Sequence, residues 1–155
     1  MKYIVFDIDG VLADCSHRLK YIQGEDKDYD KFYSYDEILK DKPILNLDKI
    51  LFNIQCAESS DIDIKFITAR NIKSITATAE WLEKYFSIMV EEGDILMRPE
   101  KNWRPAYQVK EDLIKDHIGF KNILFAFDDD NKVNEMYEKH GIMCYKPNIT
   151  SVVKK

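Results

Sequence analysis

The sequence predicts an α/β fold, a mostly parallel sheet covered by helices on both faces. Three observations predict it. Short apolar runs rich in β-branched and aromatic residues recur along the chain. Amphipathic helical patterns separate them. Three of the runs end in polar functional groups, and ligands of such sheets sit beyond the carboxyl ends of the strands.

The first run, within residues 3–11, reads YIVFDIDGV. It delivers Asp7 and Asp9 to a turn at Gly10. If strand geometry persists, alternation puts both carboxylates on one side. Two charges 4 Å apart repel by about 4 kcal/mol at an effective dielectric of 20. Such a pair calls for a cation, a shared proton or a reaction.

Residues 14–44 interrupt the alternation, with Tyr21, Tyr29, Phe32, Tyr33 and Tyr35 set among many charges. They read as a small helical cap insert after the first strand. Its aromatics either form its own miniature core or stack on a base. Leu47, Ile50, Leu51 and Ile54 then follow helical spacing, with Asn46 as N-cap. Residues 62–68 (IDIKFIT) form a second strand that leads into Thr68 and Arg70. Ile72, Ile75, Ala79, Leu82 and Phe86 share a helical face.

Residues 94–97 (DILM) are a weaker strand, and Val109, Leu113, Ile114 and His117 mark the next helix. Residues 122–127 (NILFAF) run straight into Asp128, Asp129 and Asp130. Val133, Met136, Tyr137 and His140 form the last helical face, stopped by Gly141, and residues 141–145 close the sheet.

At 155 residues the chain is expected to form one domain, 1–155, burying about 70% of its unfolded surface. The net charge of −5 argues against a protein that coats duplex nucleic acid, though not against brief contact with a strand end. No apolar run approaches a membrane span, and the N-terminus is not a signal peptide. Cys15, Cys56 and Cys144 lack metal spacing and read as reduced, mostly buried thiols of the cytoplasm. The sequon at Asn148 has no meaning without secretion.

Asp7, Asp9 and Asp128 converging at one rim suit Mg²⁺, which commonly joins carboxylates to a substrate phosphate. Asp129 assists through a bound water. A calcium loop is excluded, because Leu12 and Arg18 stand where it needs Gly and Glu after Asp7. Asp7 is then a nucleophile for phosphorus. Asp9 protonates the leaving alkoxide and later deprotonates water. Thr68 offers a hydroxyl to a phosphoryl oxygen, and Lys110 a cation for the developing charge. The alternative for Lys110 is an ordinary solvent-facing helix lysine. Arg18 either binds phosphate or pairs with insert acids such as Glu25 or Asp26; Arg104 either binds substrate or is a surface residue beside Trp103.

The ordered set FDIDGV, FITAR, a helix lysine in QVKEDL, and FDDD resembles the haloacid dehalogenase (HAD) superfamily of phosphatases, with its Rossmann-like fold. Asp9 resembles the phosphatase branch, and the small insert resembles an open-capped member. Arg18 in ADCSHR, Arg70 in TAR, Arg98 in LMRP, Arg104 in NWRP, Lys110, and the stretch from Asp129 are similar to the 3′-phosphatase domain of bacteriophage polynucleotide kinase. That resemblance implies Asp7, Asp9, Thr68 and Lys110 in catalysis, and Arg18, Arg70, Arg98 and Arg104 on phosphate or substrate. It implies Asp7, Asp9, Asp128 and Asp129 around Mg²⁺.

Ala106 departs from the acid usual before the lysine, Ala69 from a glycine, and Val11 from a threonine. No GxxxxGK[ST] string occurs, so phosphorylating activity is expected from another protein, and a separate kinase or ligase is the expected partner. The leading expectation is a Mg²⁺-dependent phosphomonoesterase that removes a terminal 3′-phosphate from a polynucleotide through an aspartyl phosphate. The competing ones are a 5′-nucleotidase for free nucleoside monophosphates and an inactive binding module on the same fold.

Overall fold

The structure is a computed structural model that describes residues 1–44, 47–57 and 61–147. Its spine is β1 (Lys2–Phe6), where alternation divides the side chains: Ile4 and Phe6 enter one buried layer and Val5 the other. A central strand must be apolar on both faces, which the run YIVF supplies.

After β1 the chain turns through Gly10 into β2 (Ala13–Asp14) and a 3₁₀ segment, Ser16–Tyr21. Two single-turn helices follow, α1 (Tyr29–Phe32) and α2 (Tyr35–Ile38). β3 (Lys42–Pro43) then returns antiparallel to β2. The expected helical insert is therefore closed at its base by a two-stranded ladder.

The remaining elements alternate: α3 (Asp48–Gln55), β4 (Ile62–Asn71), α4 (Ile75–Phe86), β5 (Ile95–Arg98), α5 (Ala106–His117), β6 (Ile123–Phe127), α6 (Asn131–Lys139) and β7 (Cys144–Tyr145). The sheet runs β5-β4-β1-β6-β7, every pair parallel. One layer packs α3 and α4 on the sheet through Leu51, Trp81, Leu82 and Phe86. The opposite layer packs α5 and α6 through Val109, Ile114, Val133 and Tyr137. Full burial of a side chain such as Phe6 stabilises by about 1.5–3 kcal/mol relative to exposure.

Three details differ from the sequence reading. His117 is exposed; Ile118, past the helix end, fills the core instead. Cys56 is exposed and Cys15 and Cys144 are half-buried, all unpaired. Ile72 precedes α4 in a 3₁₀ turn and is exposed. The expected N-cap Asn46 and the sequon at Asn148 lie outside the described residues. Among the described residues, no helix is long and apolar enough to cross a membrane.

Candidate active site

Register brings the site together. Phe6 pairs with both Phe66 of β4 and Phe127 of β6. The next residues after β1 and β6, Asp7 and Asp128, are therefore level neighbours at the carboxyl edge. The Asp7 N–H donates to the Phe127 carbonyl at 2.9 Å, which extends the ladder by one rung. Thr68 follows on β4, fully buried, its hydroxyl oxygen accepting the Arg70 N–H at 3.2 Å.

Carboxylate oxygens of Asp7, Asp128 and Asp129 lie within 4.8 Å of one another, with Asp7 and Asp128 buried. Lys110, buried on the sheet side of α5, reaches into the group. Its Nζ is 3.0 Å from Asp7 Oδ1 and 2.5 Å from Asp128 Oδ2. Lys110 is thus no solvent-facing lysine. Burial alone would lower its pKa, but the charges of Asp7 and Asp128 outweigh that and raise it, so the ammonium is fixed.

Burial pushes the Asp7 pKa well up, opposed by Lys110 and reinforced by Asp128, Asp9 and Asp129. Burial, then Asp128, pushes Asp129 up as well. Two neighbouring carboxylates that resist ionisation, Asp7 and Asp129, beside one ammonium are the electrostatic signature of a place for added positive charge.

The three aspartates of FDDD divide their work. Asp128 sits in the site and accepts the Asp130 N–H at 3.0 Å. Asp129 lies against Gly10, where a Cβ would fall 2.1 Å from its Oδ2. Asp130 caps α6, accepting from the N–H groups of Lys132 and Val133.

Asp9 stands apart from the carboxylate group with which the sequence reading placed it as a metal ligand. The strand ends at Phe6 and the chain turns, so period-two geometry no longer governs residue 9. Its Oδ1 instead accepts from Arg70 Nη2 at 2.6 Å and Arg18 Nη2 at 3.0 Å. Burial would raise the Asp9 pKa, but the Arg70 charge and hydrogen bonds, with Arg18 and Lys110, win and hold it below the usual carboxylate range.

The two arginines are wholly buried. Arg18 donates through Nε and Nη2 to Asp41 at 2.8 and 2.9 Å, and Arg70 Nη2 donates to Asp41 Oδ2 at 2.7 Å. Both guanidinium groups, expected on phosphate or substrate, here form a scaffold under Asp9. The insert acid that pairs with Arg18 is Asp41, not Glu25 or Asp26. The sequence reading missed Asp41 because a single acid in the charged string LKDKP carries no distinguishing spacing. Trp81 donates its indole N–H to the Asp41 carbonyl at 2.9 Å and fixes that turn.

Arg98 and Arg104 stay outside this assembly. Arg98 donates to the carbonyls of Ala69, Asn102 and Arg104, which ties β5 to the end of β4 and orders the following loop. Arg104 is exposed and pairs with Asp112. Ala106 opens α5 one turn before Lys110, and the ammonium takes its carboxylates from strand ends instead.

Residues 1–149 match the family described as the polynucleotide kinase PNKP phosphatase domain. A putative bifunctional polynucleotide kinase/RNA ligase of Autographa californica nuclear polyhedrosis virus is 29% identical over 138 residues, 88% of this chain and 18% of the viral protein. A chain in the structure of the Pnkp1/Rnl/Hen1 RNA repair complex superimposes with a TM-score of 0.73 at 20% identity, over 94% of this chain and 42% of that one. A class C acid phosphatase from Bacillus anthracis superimposes at 0.59 with 17% identity, over 99% of this chain and 62% of that one. This chain therefore spans a minor part of the kinase/ligase and repair-complex chains it resembles.

Proposed function

This chain belongs to the polynucleotide kinase PNKP phosphatase domain family, a phosphatase on a HAD-like α/β fold, and from that premise we propose that it removes the terminal 3′-phosphate of a polynucleotide through an aspartyl phosphate on Asp7. The observation that carries the proposal is the group of Asp7, Asp128 and Asp129, with Lys110 seated against the first two. Mg²⁺ suits this hard, all-oxygen donor set, with Asp7, Asp128 and Asp129 as the residues to hold it. Bound there, it would neutralise charge on phosphate and carboxylates alike.

An Asp7 oxygen attacks phosphorus, the ester P–O bond breaks, and the leaving oxygen takes a proton from Asp9, which carries that proton in the substrate complex although its arginines favour the carboxylate in the free protein. A water then attacks the aspartyl phosphate, Asp9 accepts its proton, and inorganic phosphate leaves with Asp7 restored. Thr68 keeps its hydroxyl hydrogen to donate to a phosphoryl oxygen. Lys110 meets the charge that develops there. Arg18 and Arg70 hold Asp9 in place, and the insert of residues 14–44 supplies Arg18 and Asp41.

A kinase or ligase activity on the same ends is the partner this reading calls for. The names borne by the viral relative and the repair complex support such a partner.

The test is phosphate release in Mg²⁺ from a 3′-phosphorylated oligonucleotide, its 5′-phosphorylated counterpart and free mononucleotides. Fastest release from the 3′-phosphorylated strand, abolished by Asp7→Asn, is expected. Faster release from free 5′-mononucleotides overturns the substrate, and turnover that survives Asp7→Asn overturns the nucleophile.

A further inference from the structure

His17 and Arg18 are neighbours on the 3₁₀ segment Ser16–Tyr21, and both reach the same turn of the insert. Arg18 grips the Asp41 carboxylate from the buried side, through Nε and Nη2. His17 meets it from the side nearer solvent. Its Nδ1 stands 3.8 Å from Asp41 Oδ1, and its side chain is 32% exposed while that of Asp41 is wholly buried. The other ring nitrogen, Nε2, lies 3.0 Å from the Glu37 carbonyl oxygen. A carbonyl only accepts, so Nε2 carries a proton and donates it.

The turn of residues 37–41, held at both ends by this one ring, is what seats Asp41. The Asp41 N–H donates to the Ile38 carbonyl at 3.0 Å, its carbonyl accepts the Trp81 indole N–H at 2.9 Å, and its carboxylate takes Arg18 and Arg70. The imidazole lies over the carboxylate where water would otherwise compete with Arg18 for Oδ1. Excluding water strengthens an ion pair, because the same charges at the same distance attract more in a lower dielectric. The arginines that Asp41 steadies are the ones on which Asp9 rests.

We propose that His17 is a positioning residue for Asp9: it braces the turn of residues 37–41 and shields Asp41, so that Arg18 and Arg70 keep the proposed acid/base aimed. The proposal rests on the phosphatase reading of Asp7 and Asp9. The partners of the His17 ring among the described residues are Glu37 and Asp41, and the carboxylate group of Asp7, Asp128 and Asp129 lies outside its reach. Loss of the ring should therefore act on the chemical steps and leave substrate and metal binding alone.

Steady-state rates of the full chain on a 3′-phosphorylated oligonucleotide in Mg²⁺ test the role. His17→Leu removes the donor and is expected to lower kcat about ten-fold, as a slightly misplaced catalytic group does, with KM and Mg²⁺ affinity unchanged. His17→Gln, whose amide nitrogen can stand in for Nε2 on the Glu37 carbonyl, is expected to recover most of that loss. A rise in KM at unchanged kcat overturns the proposal, and so do equal rates in parent and variants. The two tryptophans give a readout that needs no turnover. In NMR spectra of His17→Leu, the Trp81 indole N–H should shift and exchange faster with solvent, while that of Trp103, 74% exposed, stays as in the parent protein. If the parent protein hydrolyses no ester yet the Trp81 signal moves, the phosphatase reading fails and the brace stands. If turnover is normal and the Trp81 signal is unmoved, only the brace fails.

Discussion

Arg70 and Asp41 form an ion pair sealed from solvent, Nη2 2.7 Å from Oδ2 with neither side chain exposed. Arg18 shares the same carboxylate. Asp9, whose side chain is partly open, rests on both guanidinium groups. The insert is thereby bolted to the end of β4 by charge, and the proposed acid/base is held from beneath.

Removing one partner of a buried ion pair costs about 3–5 kcal/mol, because the other charge stays buried without compensation. Asp41→Ala leaves two arginines with Asp9 alone. Its thermal midpoint should fall by about 10 °C, at about 2–4 °C per kcal/mol for a chain of this size. Calorimetry of the variant beside the parent protein checks this. An unchanged midpoint would mean that the bolt carries no stability.

Lys110 occupies the space between Asp7 and Asp128 that an added cation would claim. Lys110→Met should cost about 10²–10³ in kcat, the usual loss for one fixed group that stabilises transition-state charge. The same change should tighten Mg²⁺ binding about ten-fold, since two carboxylates lose their internal counter-charge. Titration calorimetry with Mg²⁺ alone separates the effects. Weaker Mg²⁺ binding in the variant would show that the ammonium helps to build the site rather than competing for it.

Metal-free stability should depend on pH through Asp7. Burial raises its folded pKa above the unfolded value, so the folded state binds the extra proton between the two. Stability from this group is full below the unfolded pKa and is lost as pH rises through the folded one. In chelator, the midpoint should therefore climb as pH falls from neutrality into that window. Asp7→Asn should flatten this slope and melt higher than the parent at neutral pH. Asp9 runs the other way: its lowered pKa gives stability above the unfolded value, lost only as pH falls through the folded one.

The strand ends were readable because each apolar run stops where the charges begin: YIVF before Asp7, NILFAF before Asp128. Periodicity likewise placed α3 to α6. What stayed hidden depends on contacts between segments distant in sequence. Lys110 looks like any helix lysine until β1 and β6 bring two carboxylates to it. Asp41 looks like any loop acid until Arg18 and Arg70 arrive from either side. Strand spacing put the Asp9 carboxylate beside that of Asp7, and the turn at Gly10 directs it to the arginines.

Gly10 is the tightest backbone position of the site. Its φ of +81° lies in the left-handed region, which costs an L-residue about 1–2 kcal/mol. A Cβ there would also fall 2.1 Å from Asp129 Oδ2 and 2.4 Å from its Cγ. Asp129 is a side chain and can swing away, so Gly10→Ala should fold with a modest loss of stability. In moving, however, Asp129 leaves the group it forms with Asp7 and Asp128. The variant should therefore lose far more activity than stability: a fall of about ten-fold or more in Mg²⁺ affinity and in kcat, the size expected when a ligand or its support is disturbed, against a midpoint lowered by a few degrees. Asp129→Ala is the companion measurement. If Gly10→Ala acts by displacing Asp129, adding it to Asp129→Ala should cost no further Mg²⁺ affinity. Additive losses would instead place the role of Gly10 in the turn that carries Asp9.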